Sequence, residues 1–251
     1  MDFQLSEQQE LIRKEVATLA RSFSLDYWLE KDRKAEYPVD FIRAFAQAGW
    51  LGMIIPEAYG GSGLGVTEAA LMLHEICAAG AGTTGASPIH FYMFPPMPVI
   101  KHGSEELKRR YLPHVATGEI IMSFGVTEPN AGTDTSRIQT RAERQGDRFI
   151  VNGRKVWNTN AQHATHILLL ARTAPRDPAK PFAGMTLFFT PFDRSKITVR
   201  EIEKLGRAAV DSNEIYIDGL EADQVEPVHQ QIFFGEPRQR VVAQEAGHRA
   251  R

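Results

Sequence analysis

Two short segments carry residue types suited to holding a flat, electron-rich ligand. The first is FGVTEPNAGTD at 124–134, where a strand-like stretch runs into a Pro, Asn and Gly loop and leaves through Thr133 and Asp134. Such a loop exposes backbone N–H groups, and the hydroxyls of Thr127 and Thr133 could join them around a ligand. The second is KVWNTN at 155–160, in which Trp157 and Thr159 are two apart and so share one face of a strand. A ring to stack on a planar cofactor and a hydroxyl to bond its edge make chemistry suited to a flavin. Taken singly, an ordinary turn with a satisfied Asp134 and a core tryptophan are the commoner readings.

Other candidate motifs fail on spacing or context. Gly61-x-Gly63 lacks the third glycine of a dinucleotide fingerprint, since position 66 is Val, and no strand precedes it. The run 60–65 is better read as a flexible connector between helices. His163 and His166 fall in a segment expected to be extended, where an odd offset points them to opposite faces, so no metal site is expected. No HExxH, paired-cysteine or GxSxG pattern occurs, and the single Cys77 lies on a core-facing stripe.

The elements that must position these segments divide into two halves. Ser6 and Gln9 make a capping box before Ile12, Val16, Leu19, Ala20 and Phe23 at helical spacing. A second helix opens at Pro38, carries Phe41 and Phe45, and stops at Gly49. A third runs from Thr67, whose hydroxyl can cap it, through Ala69, Leu73, Ile76 and Cys77 to Gly80. A fourth starts at Ser104 and passes Leu107 and Tyr111 to Pro113, which should end it. From 119 the pattern shortens to strand-length runs at 120–126, 138–143, 148–151, 155–157, 166–172, 185–190, 197–202 and 214–217. Asn152-Gly153 is the strongest hairpin signal, and Gln145-Gly146-Asp147 is a second turn. With no helix available for parallel crossovers, an antiparallel sheet or small barrel is expected.

Composition bounds the partners. The 251 residues include 43% hydrophobic and 24% charged side chains, the range of ordinary globular proteins. Lys plus Arg total 29 against 31 for Asp plus Glu, a net charge of −2 that gives no reason to expect nucleic acid or an anionic membrane as main partner. No apolar run approaches the roughly 20 residues of a membrane span. One cysteine and a charged start fit a reducing, cytoplasmic setting.

Together the segments resemble the acyl-CoA dehydrogenase family. PEAYGGSGLG (56–65) resembles its interhelix loop, VTEPNAGTD (126–134) its main signature, VNGRKVWNTNA (151–161) its flavin-stacking hairpin, and KLGRAAVDS (204–212) the end of its barrel domain. The resemblance runs in order from about Asp2 to Glu221. It implies an α+β fold, with a helical domain at 1–118, an antiparallel β-barrel or sandwich at 119–222, and an unmatched tail at 223–251. It implies FAD as cofactor, with Phe124, Val126 and Thr127 along the isoalloxazine edge. Gly132 and Thr133 would lie near the ribityl, the pyrophosphate and the acyl-CoA substrate, Trp157 against the ring and Thr159 at its reactive nitrogen, with Asn158 in the same cofactor-binding set. The implied reaction converts an acyl-CoA thioester to the trans-2-enoyl-CoA, with an electron-transfer acceptor as partner and a homo- or hetero-oligomer as assembly.

Three substitutions depart mildly from the family pattern: Asn130 for a glycine, Arg137 for a small residue and Asn158 for an apolar one. Glu221-Ala222-Asp223 stands where a Val-Pro strand exit is expected. The family's base is a glutamate of a C-terminal four-helix bundle, for which this chain leaves no room, so no catalytic residue is assigned and little activity is expected of the chain alone. A non-catalytic flavin- or CoA-binding subunit completed by a partner, or a frame-shifted product, are the alternatives.

Overall fold

The computed structural model describes residues 4–223. The tail expected beyond 223 lies outside them. Seven helices come first: α1 (Glu7–Arg21), α2 (Leu25–Arg33), α3 (Val39–Gln47), α4 (Val66–Ile76), α5 (Gly82–His90), α6 (Met97–His102) and α7 (Glu105–Ala116). Seven strands follow: β1 (Met122–Gly125), β2 (Arg141–Gln145), β3 (Arg148–Thr159), β4 (His166–Arg172), β5 (Met185–Pro191), β6 (Ile197–Glu201) and β7 (Ser212–Asp223). The fold is α+β, a helical part followed by a curled, mostly antiparallel sheet.

In α1, Ser6 and Gln9 bond each other's backbone N–H groups, and Ile12, Val16 and Ala20 are buried. In α3, Phe41 and Phe45 are buried, and Gly49 beyond its end takes a left-handed φ of 79°. The cap of α4 is Gly65, whose N–H is held by the Glu68 carboxylate at 3.0 Å, rather than Thr67. Pro113 does not end α7, which continues to Ala116. The proline withholds a bond only from the carbonyl of the exposed Arg109, which water can reach, while Leu112, Val115 and Ala116 are buried and hold the last turn.

Three helices had no counterpart in the sequence reading. α2 buries only Trp28, and α6 is six residues long, opening just after Pro96. α5 holds Gly82, Gly85 and Pro88, residues that argue against a helix. Packing decides there, because a Cβ on Gly85 would stand 2.5 Å from the Ala81 Cβ and 3.1 Å from the Trp28 ring.

The sheet order is β1-β4-β2-β3-β7-β6, with β5 also on β4. Two pairings correct the purely antiparallel expectation. β1 runs parallel to β4, and β2 meets β4 in parallel where Arg141 faces Arg172. The β2–β3 hairpin provides the crossover that no helix supplies. The turn of that hairpin is Gly146-Asp147, with Gly146 at φ 64°, as the sequence indicated. Asn152-Gly153 is not a turn, since β3 runs unbroken through it and carries a bulge between Val151 and Gly153. Glycine is required there by close approach: a Cβ would lie 2.4 Å from Thr140 Oγ1 and 2.7 Å from the Thr140 Cα.

The apolar run of β4 serves two cores at once. Leu168 and Leu170 face the helices, while Ile167, Leu169 and Ala171 face the interior of the curled sheet; β5 divides likewise, with Leu187 and Phe189 on one side and Phe188 on the other. The connector at 60–65 is pinned, not flexible. Ser62, Gly63 and Leu64 donate to the carbonyls of Gly52, Ile55 and Met53, and Gly61 lies so close that a Cβ would meet the Ile55 carbonyl. His163 lies in a turn stacked on Tyr37 and not in a strand, and His166 stacks on Phe189. Among the described residues no group of His, Cys, Asp or Glu side chains is placed to hold a metal ion, and no helix is long and apolar enough to cross a membrane.

Candidate flavin-facing site

Strands β1 and β3 are not neighbours in the sheet, so the two chemical segments are joined by other means. Ser123 Oγ donates to the Thr159 carbonyl (2.9 Å), Asn158 Nδ2 to the Phe124 carbonyl (2.9 Å), Lys155 Nζ to the Val126 carbonyl (3.1 Å), and the Val156 N–H to the Thr127 carbonyl (2.9 Å). Three of the four donors are side chains. They stitch the signature loop to β3 where a ladder would otherwise be needed.

The bulge between Lys155 and Asn158 sits in the middle of this seam: three steps along β3 match two along β7, from Ile215 to Asn213. Trp157 there takes a left-handed φ of 65°, a conformation costly for a bulky residue. Its ring is turned outward, leaving the residue 60% exposed. No aromatic or cationic side chain among the described residues stacks on it. Thr159 is half-buried.

The remaining expected residues fall into two groups. Thr127 and Phe124 are half-buried, the Phe124 ring meeting Phe94 edge-on at 5.1 Å, and Val126 is buried. Gly132 and Thr133 are exposed beyond a tight turn in which Glu128 and Ala131 exchange both backbone bonds. Asn158 departs from the expectation of a cofactor contact. It is fully buried, its side-chain amide donates to the Phe124 carbonyl and its backbone carbonyl accepts from the Asn213 side chain, so it braces the seam and offers no surface.

The sequence reading quoted Glu128 and Lys155 without giving either a role. Lys155 is wholly buried, and its ammonium lies 2.9 Å from the Glu128 carboxylate, which also accepts from the Gln139 and Thr140 N–H groups (2.6 and 2.9 Å). Burial raises the Glu128 carboxyl, but the Lys155 charge and the bonds from Thr140, Lys155 and Gln139 outweigh it and leave it below its ordinary value. Burial also brings the Lys155 ammonium down to about 8, against the pull of Glu128. No local signal marks the pair, because 27 positions separate the two residues and only the assembled sheet brings them together. Asp134 is exposed and bonds back to Ser136, whose hydroxyl and N–H hold its carboxyl below the ordinary range.

A model of the acyl-CoA dehydrogenase N-terminal domain matches residues 6–119, and one of the acyl-CoA dehydrogenase middle domain matches 123–220. The chain belongs to the acyl-CoA dehydrogenase family. The probable acyl-CoA dehydrogenase YngJ of Bacillus subtilis is 31% identical over 221 residues, covering 88% of this chain and 57% of YngJ. The glutaryl-CoA dehydrogenase of Desulfococcus multivorans is 30% identical over 223 residues, again 88% of this chain and 57% of that enzyme. The structure of PigA in complex with FAD superposes with a TM-score of 0.82 at 25% identity, over 90% of this chain and 59% of PigA. The chain thus spans a little over half the length of the curated relatives it matches.

Acyl-CoA dehydrogenases are FAD-dependent oxidoreductases. The residues present fit a flavin: an exposed indole held at a strained bulge, with the half-buried Thr159 beside it, is a platform with an adjoining hydrogen-bonding group. Next to the signature loop, a groove of about 1520 Å³ is lined by Arg137, Arg141, Arg144, Arg154, Arg172 and Arg176. Arg172 forms its floor, buried and donating to the carbonyls of Ser136, Ile138, Pro181 and Ala183, while Arg154 is paired with Glu214. Against the carboxylates that share the lining, Glu128, Asp134 and Glu143, the groove is net positive.

Proposed function

We propose that this chain forms the flavin-facing part of an acyl-CoA dehydrogenase, in which an acyl-CoA thioester is dehydrogenated between its α and β carbons to the trans-2-enoyl-CoA. The observation that carries the reading is the exposed Trp157, held at a left-handed bulge and bonded through its neighbours to the signature loop. Trp157 would stack on the isoalloxazine and the Thr159 hydroxyl would bond its edge. The backbone of Phe124, Val126 and Thr127 would lie along the ring. Gly132 and Thr133, both exposed, would lie toward the ribityl and pyrophosphate, with Thr133 also toward the acyl-CoA. The arginine-lined groove would take the phosphates of the CoA end, since guanidinium groups pair well with phosphate oxygens. FAD, when bound, supplies the acceptor for the hydride that leaves the β-carbon.

Abstraction of the α-proton is a step to which the signature loop lends no carboxylate: Glu128 is buried on Lys155, and Asp134 is held by the Ser136 hydroxyl and N–H, so both are engaged in holding the loop. The base is therefore sought outside the signature loop, and this flavin-facing surface by itself is expected to turn over weakly or not at all. The same observation favours a second reading, a flavin- or CoA-binding subunit whose base comes from a partner chain. Oligomeric assembly and a protein electron acceptor belong to the same proposal.

The test is the visible spectrum of the purified chain after incubation with excess FAD and desalting. A retained flavin spectrum, lost in Trp157→Ala, is the expected result. A colourless wild-type chain overturns the proposal that these residues form a working flavin surface.

A further inference from the structure

We infer that Lys155 and Glu128 are a positioning pair, the buried contact that sets the spacing between the loop carrying Thr127 and the bulge carrying Trp157. The inference rests on the flavin surface proposed above and adds to it the residues that hold its two sides in register.

The placement is specific. Glu128 follows Thr127 directly, and Lys155 lies two residues before Trp157. Because β1 and β3 share no ladder, one backbone bond, from the Val156 N–H to the Thr127 carbonyl, and the side-chain bonds fix how far apart the loop and the bulge stand, and of those side chains only Lys155 reaches both a loop carbonyl, Val126, and a loop carboxylate. The Glu128 carboxylate also receives the N–H groups of Gln139 and Thr140, so one group joins the loop, the lead into β2, and β3. The two backbone bonds between Glu128 and Ala131 make the turn stiff. A shift of Glu128 would therefore carry Gly132 and Thr133 with it.

Stability alone is a poor account of the pair. Taking two charges out of water costs about as much as their attraction returns, and an apolar pair of similar volume would fill the space as well. What an apolar pair lacks is direction. The ammonium must meet the Val126 carbonyl and the Glu128 oxygen together, and that fixes the loop along β3 as well as against it.

Lys155→Met keeps the length of the stem and removes the ammonium, Glu128→Gln removes the charge and keeps one of the two acceptor oxygens, and the double variant removes both charges. Three quantities are measured on the full chain: the apo-protein Tm, the FAD dissociation constant from flavin fluorescence, and the NMR-detected exchange rate of the Val156 amide, which bonds Thr127. Lys155→Met is expected to lower Tm, and to weaken FAD binding by about tenfold or more, as when a group that orients a ligand contact is lost. The double variant is expected to regain most of the lost Tm because no charge is left unpaired, while FAD binding stays weak and Val156 exchange stays fast. Recovery of FAD affinity together with Tm would overturn the inference and leave the pair as core filler. If the wild-type chain binds no FAD, the proposed surface fails, and exchange at Val156 still decides this point: unchanged exchange in the double variant refutes the pair's role. Should Lys155→Met fail to fold, the double variant and Glu128→Gln carry the same comparison.

Discussion

Asn158 and Phe124 lie on strands that do not pair, yet the Asn158 amide donates to the Phe124 carbonyl at 2.9 Å, so a side chain closes the sheet where the backbone does not. The bond sits beside the bulge that turns Trp157 outward. Asn158→Ala would leave a part-buried carbonyl without its donor, at a cost of about 1–3 kcal/mol. The expected fall in Tm is about 2–4 °C for each kcal/mol in a chain of this size, read by thermal denaturation. A melt that does not move would mean that the other three cross-bonds hold the seam unaided.

Gly153 and Gly146 separate two reasons for glycine. At Gly153 a Cβ would run into the Thr140 backbone and hydroxyl, so Gly153→Ala forces β3 off β2 and costs about 1–3 kcal/mol or more. At Gly146 there is open space but a φ of 64°, so Gly146→Ala costs about 1–2 kcal/mol from backbone conformation alone. Urea unfolding of the two variants should rank Gly153→Ala as the more damaging. The reverse order would mean that the bulge at Gly153 yields more readily than the turn.

That comparison also marks how far the sequence could be read. The Asn152-Gly153 signal was real, but it reports a close approach to Thr140 and a bulge, and only contact across the sheet separates those from a hairpin. The helices with an apolar stripe, α1 and α3, were legible because periodicity is local. α5 was not, because Gly85 and Pro88 oppose a helix locally and packing against Trp28 and Ala81 decides the matter. The site divides the same way. Trp157 and Thr159 were visible by type and spacing, while the union of Lys155 with Glu128 spans 27 positions and shows only when the strands are assembled.

Acid should weaken the fold before its carboxylates titrate. Burial first, with Arg110 and His114 nearby, brings the His166 imidazole from 6.5 down to about 4, and burial also lowers His90 and His163. The unfolded chain then binds more protons than the folded one between about pH 4 and 6.5, so the stabilisation is full above 6.5 and is lost as pH falls toward 4. Glu128, lowered from 4.5, adds its own loss below that range. Tm should therefore decline between pH 6.5 and 5, and His166→Phe, which keeps a ring against Phe189, should flatten the largest share of the slope. An unaltered slope in that variant would assign the effect to the other two histidines.

Trp157 offers a sharper test, because its conformation and its ring pull in opposite directions. A tryptophan at φ 65° carries backbone strain of about 1–3 kcal/mol, and a residue 60% exposed returns little of it by packing. Glycine adopts this conformation without strain. Trp157→Gly is thus expected to leave the apo-chain Tm unchanged or raise it, even though the change removes the largest side chain of the bulge. Flavin retention should be lost in the same variant, because nothing else at the bulge presents an aromatic face. Strain kept where it aids only a ligand is the pattern of a binding site, and a structural tryptophan predicts the opposite. A Tm several degrees lower in Trp157→Gly, with FAD still retained after desalting, would show that the indole supports the fold and that the flavin surface lies elsewhere.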